Sequence, residues 1–257
     1  MTGIGLRDLA RLFRGHALET ESQGASPRAR TELLLSARDD YAAIAASSQI
    51  AVRARLSLAT NQYLRASDGC RPASTAIRDL VESSAVLAEI ADNSGLPELP
   101  RLRAKVNRAQ VELCLFNARH AGASERLRPL LAELTVVPLP NEPDLRVGAL
   151  RQIKALAFSI QAVLLADGEH FAEAVDSIAK SLELDPRFER QALWLGLKSS
   201  WLLTSCRLDE GAKAQQESLG QLEAAVTAKR LPRSDIERYS SVFSNDLKEA
   251  RRRCRRK

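Results

Sequence analysis

The chain has 257 residues, of which 45% are hydrophobic and only 4% aromatic. Alanine and leucine dominate the apolar residues, and both are strong helix formers, as are Arg, Glu and Lys. Runs of Val, Ile and Thr that would indicate strands are scarce, and the nearest candidate, residues 135–138, ends in a proline. Because proline disfavours a strand, the composition argues against a sheet-based fold and predicts an all-α protein.

The net charge of +6 is concentrated at the C-terminus. Residues 229–257 hold eleven Lys or Arg against four acids, so the rest of the chain carries a net charge of −1. A nearly neutral body argues against a broad nucleic-acid-binding platform. The last residues, 248–257, are predicted to form a basic tail.

The four cysteines, Cys70, Cys114, Cys206 and Cys254, are far apart, with no CxxC pair and no metal-ligand spacing. Cys114 and Cys206 fall within apolar helical stretches, where a free cysteine behaves as a small hydrophobe. Free cysteines suit a reducing compartment and a cytoplasmic location. No uncharged apolar run of about 18 residues is present, so no transmembrane segment is expected.

The first predicted element is a short amphipathic helix at residues 3–14, followed by a polar linker to residue 27. Residues 1–27 are therefore predicted to precede the main domain, at 28–247. The helix is either a cap for the end of the fold, which we favour, or a surface that binds a partner. Residues 28–67 are helical almost throughout, and they form either two helices joined at Ser47-Ser48, the only plausible turn, or one long helix.

Further helices are predicted along the chain at 74–93, 101–120, 124–134, 145–166, 170–184 and 232–248. The apolar stripe of the 74–93 helix is Ile77, Leu80, Val81, Leu87 and Ile90. The loop at 135–144 contains three prolines, and it is either a boundary between sub-domains or an insertion between repeats.

Residues 158–186 have the pattern of a helical hairpin. A helix ends near Ala166, a turn contains Gly168, and Pro186 stops the second helix. The second helix places its apolar residues on one face: Phe171, Ala174, Val175, Ile178 and Leu182.

This hairpin resembles the tetratricopeptide repeat, a helix–turn–helix of about 34 residues. The residues at motif positions are Phe158, Ala162, Leu165, Ala174, Ile178 and Pro186, whereas Gln161 departs from the motif's leucine. Gly196, preceded by Leu195, follows Ala162 by 34 residues, and residues 207–210 echo 170–173 at an offset of 37. The resemblance is clearest over residues 155–228. It implies a right-handed solenoid of helical hairpins.

The resemblance also implies a function, because stacked repeats form a concave surface lined by the first helix of each repeat. The residues expected there are Ser159, Ile160, Val163, Arg190, Leu193, Trp194 and Leu197. They are mostly apolar, so the expected ligand is an apolar protein or peptide segment, a second copy of the chain or its own N-terminal helix. For Trp194 and Trp201 we favour core packing over ligand contact.

A second hypothesis is a regulatory or nucleic-acid-associated protein that uses the basic tail. Its contacts with nucleic acid or an anionic surface would come from Arg251, Arg252, Arg253, Arg255, Arg256 and Lys257. An enzyme is the least favoured class, because His16, His120 and His170 stand without a partner at motif spacing. We therefore predict a non-enzymatic adaptor or scaffold with no cofactor and no metal.

Overall fold

The computed structural model describes residues 5–22, 25–48, 50–66, 70, 72, 74–140, 145–185, 187–228 and 233–255, except for the side chains of 145, 188–190, 234 and 235. The described part of the chain is 84% helix and has no strands. The predicted all-α fold class is therefore confirmed. The predicted stop at Pro186 and the last two tail residues, Arg256 and Lys257, lie outside the described residues.

The chain divides into two compact units, Met1–Ala132 and Glu133–Lys257. The helices of the first unit are α1 (Leu6–Ser22), α2 (Pro27–Ala42), α3 (Ala51–Ala66), α4 (Ile77–Asp92), α5 (Glu98–Asn117) and most of α6 (Ala123–Thr135). Those of the second unit are α7 (Leu145–Asp167), α8 (Phe171–Leu184), α9 (Phe188–Thr204), α10 (Leu208–Thr227) and α11 (Arg233–Cys254).

Helices that are consecutive in the chain pack against each other within each unit. This holds from α1 to α5 and again from α7 to α11, and α11 also contacts α9. Leu80, Leu87 and Leu115 are fully buried in the core of the first unit. Ile178, Trp194 and Leu202 are buried in the core of the second. Each helix buries its apolar stripe only because a neighbour covers it.

The first helices differ from the prediction in their lengths. α1 runs from Leu6 to Ser22, so much of the expected linker is helical, and α1 packs against α2 within the first unit. A Cβ at Gly15 would overlap the ring of Tyr41 on α2, so the glycine permits this close approach. The long helical stretch divides into α2 and α3 around the predicted turn at Ser47-Ser48.

The predicted stripe of α4 is correct at three positions and wrong at one. Leu80, Leu87 and Ile90 are buried and Ile77 is partly buried, but Val81 is 40% exposed. An apolar residue beside the buried stripe cannot be assigned to core or surface from helical periodicity alone, because the neighbouring helix sets how wide the covered face is.

Three helical turns share one geometry. Arg119, Glu169 and Cys206 have positive φ values of 57°, 62° and 61°. In each case the next residue donates its N–H to a leucine carbonyl five residues back, at 2.9 Å. These are the bonds of a Schellman motif, which ends a helix and reverses the chain. The left-handed residue of the α7–α8 turn is Glu169 and not Gly168, which has no positive φ.

The α7–α8 and α9–α10 hairpins also share a buried hydrogen bond. Ser181 Oγ donates to the Ala155 carbonyl at 2.6 Å, and Ser218 Oγ donates to the Ala192 carbonyl at 2.8 Å. Both members of the second pair follow the first by 37 residues. The expected offset of 34 residues, which aligned Ala162 with Gly196, is therefore wrong for the first helices. The offset is longer because of the lengths of two helices. α8 has 14 residues and α9 has 17, and with their connections they make up 37 residues.

The expectation of free cysteines is wrong. Cys70 is bonded to Cys114 across 44 residues, and Cys206 is bonded to Cys254 across 48. The pairs were hidden in the sequence because helix packing brings them together and no spacing rule marks them. Disulfides are typical of oxidising compartments. Free thiols therefore no longer support a cytoplasmic location, which stays a prediction.

Within the described residues, one helix segment, Arg146–Asp167, is long and apolar enough to cross a membrane by length and composition. This segment of α7 contributes Ala155 and Ala162 to the core of the second unit. Core helices meet the same criterion, so the expected absence of a transmembrane segment stays a prediction.

Alanine substitutions at two glycines of α10 should change the free energy of unfolding in opposite directions. A Cβ at Gly211 would lie 2.6 Å from Leu203 Cδ2, whereas Gly220 has nothing within 4 Å. Overpacking costs about 1–3 kcal/mol, which exceeds the ~0.5–1 kcal/mol that alanine adds to a helix. We expect Gly211→Ala to lower the free energy of unfolding in urea and Gly220→Ala to raise it. Equal effects would contradict the close packing of α9 and α10.

The disulfide at the end of α11 should contribute to stability. Because it closes a loop of 48 residues, the double variant Cys206→Ser/Cys254→Ser should lose about 2–4 kcal/mol of unfolding free energy without reductant. Adding reductant should then destabilise the wild type more than the variant, which keeps only Cys70–Cys114. If alkylation finds free thiols in the unreduced native protein, the pairing is wrong.

Candidate functional site

An apolar groove lies between α9 and α11 in the second unit, with a cavity volume of about 280 Å³. α9 and α11 contact each other, and both pack against α10. The groove is lined by Ala192, Leu193, Gly196, Leu197, Arg238, Tyr239, Val242 and Phe243.

The base of the groove is fixed by the close approach of Phe243 to α9. A Cβ at Gly196 would lie 3.5 Å from Phe243 Cζ, which is ordinary van der Waals contact. Phe243 is 7% exposed, and its carbonyl accepts a buried hydrogen bond of 3.1 Å from Gln215 Nε2 on α10. This bond pairs the buried amide of Gln215. It fixes the position of α11 along α10, and the contact of Phe243 with α9 fixes α11 against that helix as well.

The C-terminal end of α11 is attached to the turn between α9 and α10. Arg253 Nη2 donates to the Leu203 carbonyl at 2.8 Å, and Cys254 forms its disulfide with Cys206. The helix is therefore held at its middle and at its end, and the two walls of the groove have a defined separation.

Both walls of the groove expose a large apolar side chain. Leu193 on α9 and Val242 on α11 are each 48% exposed. A single exposed apolar residue is ordinary, and here two of them flank one cavity. One cationic group lies beside them: the guanidinium carbon of Arg238 is 5.2 Å from the Tyr239 ring centroid, within cation–π range. The Tyr239 ring in turn lies 6.0 Å from that of Phe243.

The structure brings together only part of the predicted site. Leu193 and Leu197 line the groove. Ser159, Ile160 and Trp194 are 7%, 3% and 2% exposed, and Ser159 Oγ donates to the Leu156 carbonyl. Val163 packs against the core, and the side chain of Arg190 is outside the described residues.

Trp201 is 8% exposed. The burial of both tryptophans fits the core packing that we favoured for them.

The α11 side of the groove was absent from the predicted site. Tyr239, Val242 and Phe243 lie at helical spacing on one apolar face of α11, and the sequence displays this face. It did not point to a binding surface, because nothing in a one-dimensional pattern shows that such a face covers its neighbour incompletely.

The basic residues of the predicted tail continue α11 for a further turn. Arg251, Arg252 and Arg253 form the last turn of the helix, and all three are exposed. Cationic side chains are stabilising at a helix C-terminus because they interact with the helix dipole. This accounts for basic residues here without a ligand, and the anion-binding role stays a prediction.

No protein-family model, no curated protein and no solved structure matches this chain. The resemblance to tetratricopeptide repeats therefore stays a prediction.

Trp194 and its neighbour Leu193 should differ in their effect on stability. Trp194 is 2% exposed and Leu193 is 48% exposed on the same helix. Truncating a buried tryptophan costs about 3–5 kcal/mol, so Trp194→Ala should lower the free energy of unfolding by this amount. Leu193→Ala should cost less than about 1 kcal/mol, since exposed positions are tolerant. Urea unfolding of both variants measures the difference, and equal losses would show that Leu193 is buried in solution.

Proposed function

We propose that this protein is a non-enzymatic helical scaffold of the tetratricopeptide-like class, which binds an apolar segment of another protein. The observation that carries the proposal is the α9–α11 groove, flanked by the exposed side chains of Leu193 and Val242. An apolar groove between two helices is a recurrent docking site for the apolar face of a third helix.

The repeat character of the second unit supports the proposed class. The α7–α8 and α9–α10 hairpins have the same Schellman turn and the same serine-to-carbonyl hydrogen bond, offset by 37 residues. Equivalent hairpins packed in chain order are what a helical-repeat protein requires. We propose that they belong to a right-handed superhelix.

The chemistry of the groove favours binding over catalysis. The side chains that line it carry no carboxylate, imidazole or thiol in the described structure, and the polar groups are those of Tyr239 and Arg238. Acid–base or nucleophilic catalysis needs such groups within hydrogen-bond reach of a substrate. We therefore propose a site that needs neither cofactor nor metal.

The proposed occupant is an amphipathic helix with apolar residues at i, i+3 or i+4, and i+7 and a carboxylate beside them. Its apolar side chains would cover Leu193 and Val242, and its carboxylate would approach Arg238. A volume of about 280 Å³ has room for one or two side chains, and the exposed Leu193 and Val242 beside it would contact the rest of a larger partner.

The test is affinity capture from a lysate of the source cells with three folded variants as bait. Leu193→Asp and Val242→Asp place a charge in the groove, and we expect each to lose the captured partner. Val136→Asp is the matched control, because Val136 is 73% exposed and does not line the groove. Isolated partner segments should then bind the wild type at least tenfold more tightly than either groove variant, measured by fluorescence anisotropy.

Two results would contradict the proposal. If all three variants recover the same proteins as the wild type, the groove is not the binding surface. If sedimentation instead shows that the wild type self-associates and Val242→Asp does not, the occupant is a second copy of the chain and not a different protein.

A further inference from the structure

A second cavity of about 280 Å³ lies in the first unit, where α4, α5 and α6 meet. It does not involve the α9–α11 groove, and it differs from it in chemistry. Val81, Ala85 and Leu115 give it an apolar wall, and Val81 is 40% exposed. The remaining lining side chains are polar or charged.

Glu112 on α5 is the central polar residue of this cavity and is 0% exposed. Its Oε1 accepts hydrogen bonds from Ser84 Oγ at 2.6 Å and from Arg126 Nε at 2.9 Å. Its Oε2 is equally buried and has no hydrogen-bond partner in the described structure. A buried carboxylate oxygen without a donor is costly, so this atom requires a hydrogen-bond donor from outside the chain.

Two other polar atoms of the same cavity are also buried without a partner among the described residues. They are Arg108 Nε, one helical turn before Glu112, and His120 Nδ1, in the turn between α5 and α6. Native proteins leave few buried polar atoms unpaired, and here three of them line one cavity. Arg108 and Arg126 carry two positive charges against the single negative charge of Glu112. Glu112 Oε2 therefore needs a hydrogen-bond donor, and the excess positive charge needs an anionic acceptor.

We propose that this cavity binds a small zwitterion of the α-amino-acid type with an apolar side chain. Its ammonium group would donate to Glu112 Oε2, and its carboxylate would accept from Arg108. Its side chain would lie along Val81 and Leu115. A simple carboxylate would leave Glu112 Oε2 unpaired, and a simple amine would leave Arg108 unpaired.

The volume agrees with a ligand of this size. At about 280 Å³ the cavity is just below the ~300–1,000 Å³ of pockets that enclose drug-sized molecules, so it suits a single amino acid.

The first experiment is a calorimetric titration of the wild-type protein at pH 7 with L-leucine and two analogues that each lack one charge. These are 4-methylpentanoate, without the ammonium group, and 3-methylbutylamine, without the carboxylate. We expect saturable binding of leucine and at least about tenfold weaker binding of each analogue, because each loses a charged hydrogen bond. No saturable binding of leucine, or equal affinity for either analogue, would overturn the proposal.

The second experiment combines the ligands with variants. Arg108→Gln should weaken leucine binding at least about tenfold but leave the weak binding of 3-methylbutylamine unchanged, because the amine has no carboxylate to lose. Arg103→Gln is the matched control, since Arg103 is an exposed residue of the same helix. If the two variants bind leucine equally well, Arg108 does not bind the carboxylate and the assignment fails. If Arg108→Gln does not fold, the ligand series on the wild type decides the proposal.

Discussion

The close pairing of helices depends on buried serine hydroxyls that donate to main-chain carbonyls of the neighbouring helix. Ser83, Ser181 and Ser218 make this bond to Ala59, Ala155 and Ala192, at 2.8, 2.6 and 2.8 Å. A serine in this position is small enough for two backbones to approach, and its buried hydroxyl is paired. Each bond also fixes how far one helix is displaced along the other. That displacement determines which residues of the two helices lie side by side on their exposed faces.

The candidate groove is a consequence of this constraint in the second unit. Because Ser218 fixes α10 against α9 and Gln215 of α10 bonds to Phe243 of α11, the distance between α9 and α11 is set through α10. Phe243 packs against α9 beside Gly196, while Leu193 and Val242 stay partly uncovered on either side. The groove exists because α11 covers α9 only in part.

The cavity of the first unit is lined largely by polar groups, whereas the groove of the second is lined mostly by apolar ones. Glu112 connects α4 to α6 through Ser84 and Arg126, and a buried carboxylate is retained at a free-energy cost unless all its oxygens are paired. Such a residue can be recognised in the structure by its unpaired Oε2. In the sequence it looks like any acid on a helical face.

Most of the helices and most buried stripes could be predicted from the sequence, because propensity and helical periodicity are local properties. The face of α8 is an example: Ala174, Val175 and Ile178 are all buried. The pairing of the cysteines and the exposure of Leu193 and Val242 are visible only in the folded chain. These depend on which helix covers which face and how completely. That coverage is set by contacts between residues far apart in the chain, which no local pattern records.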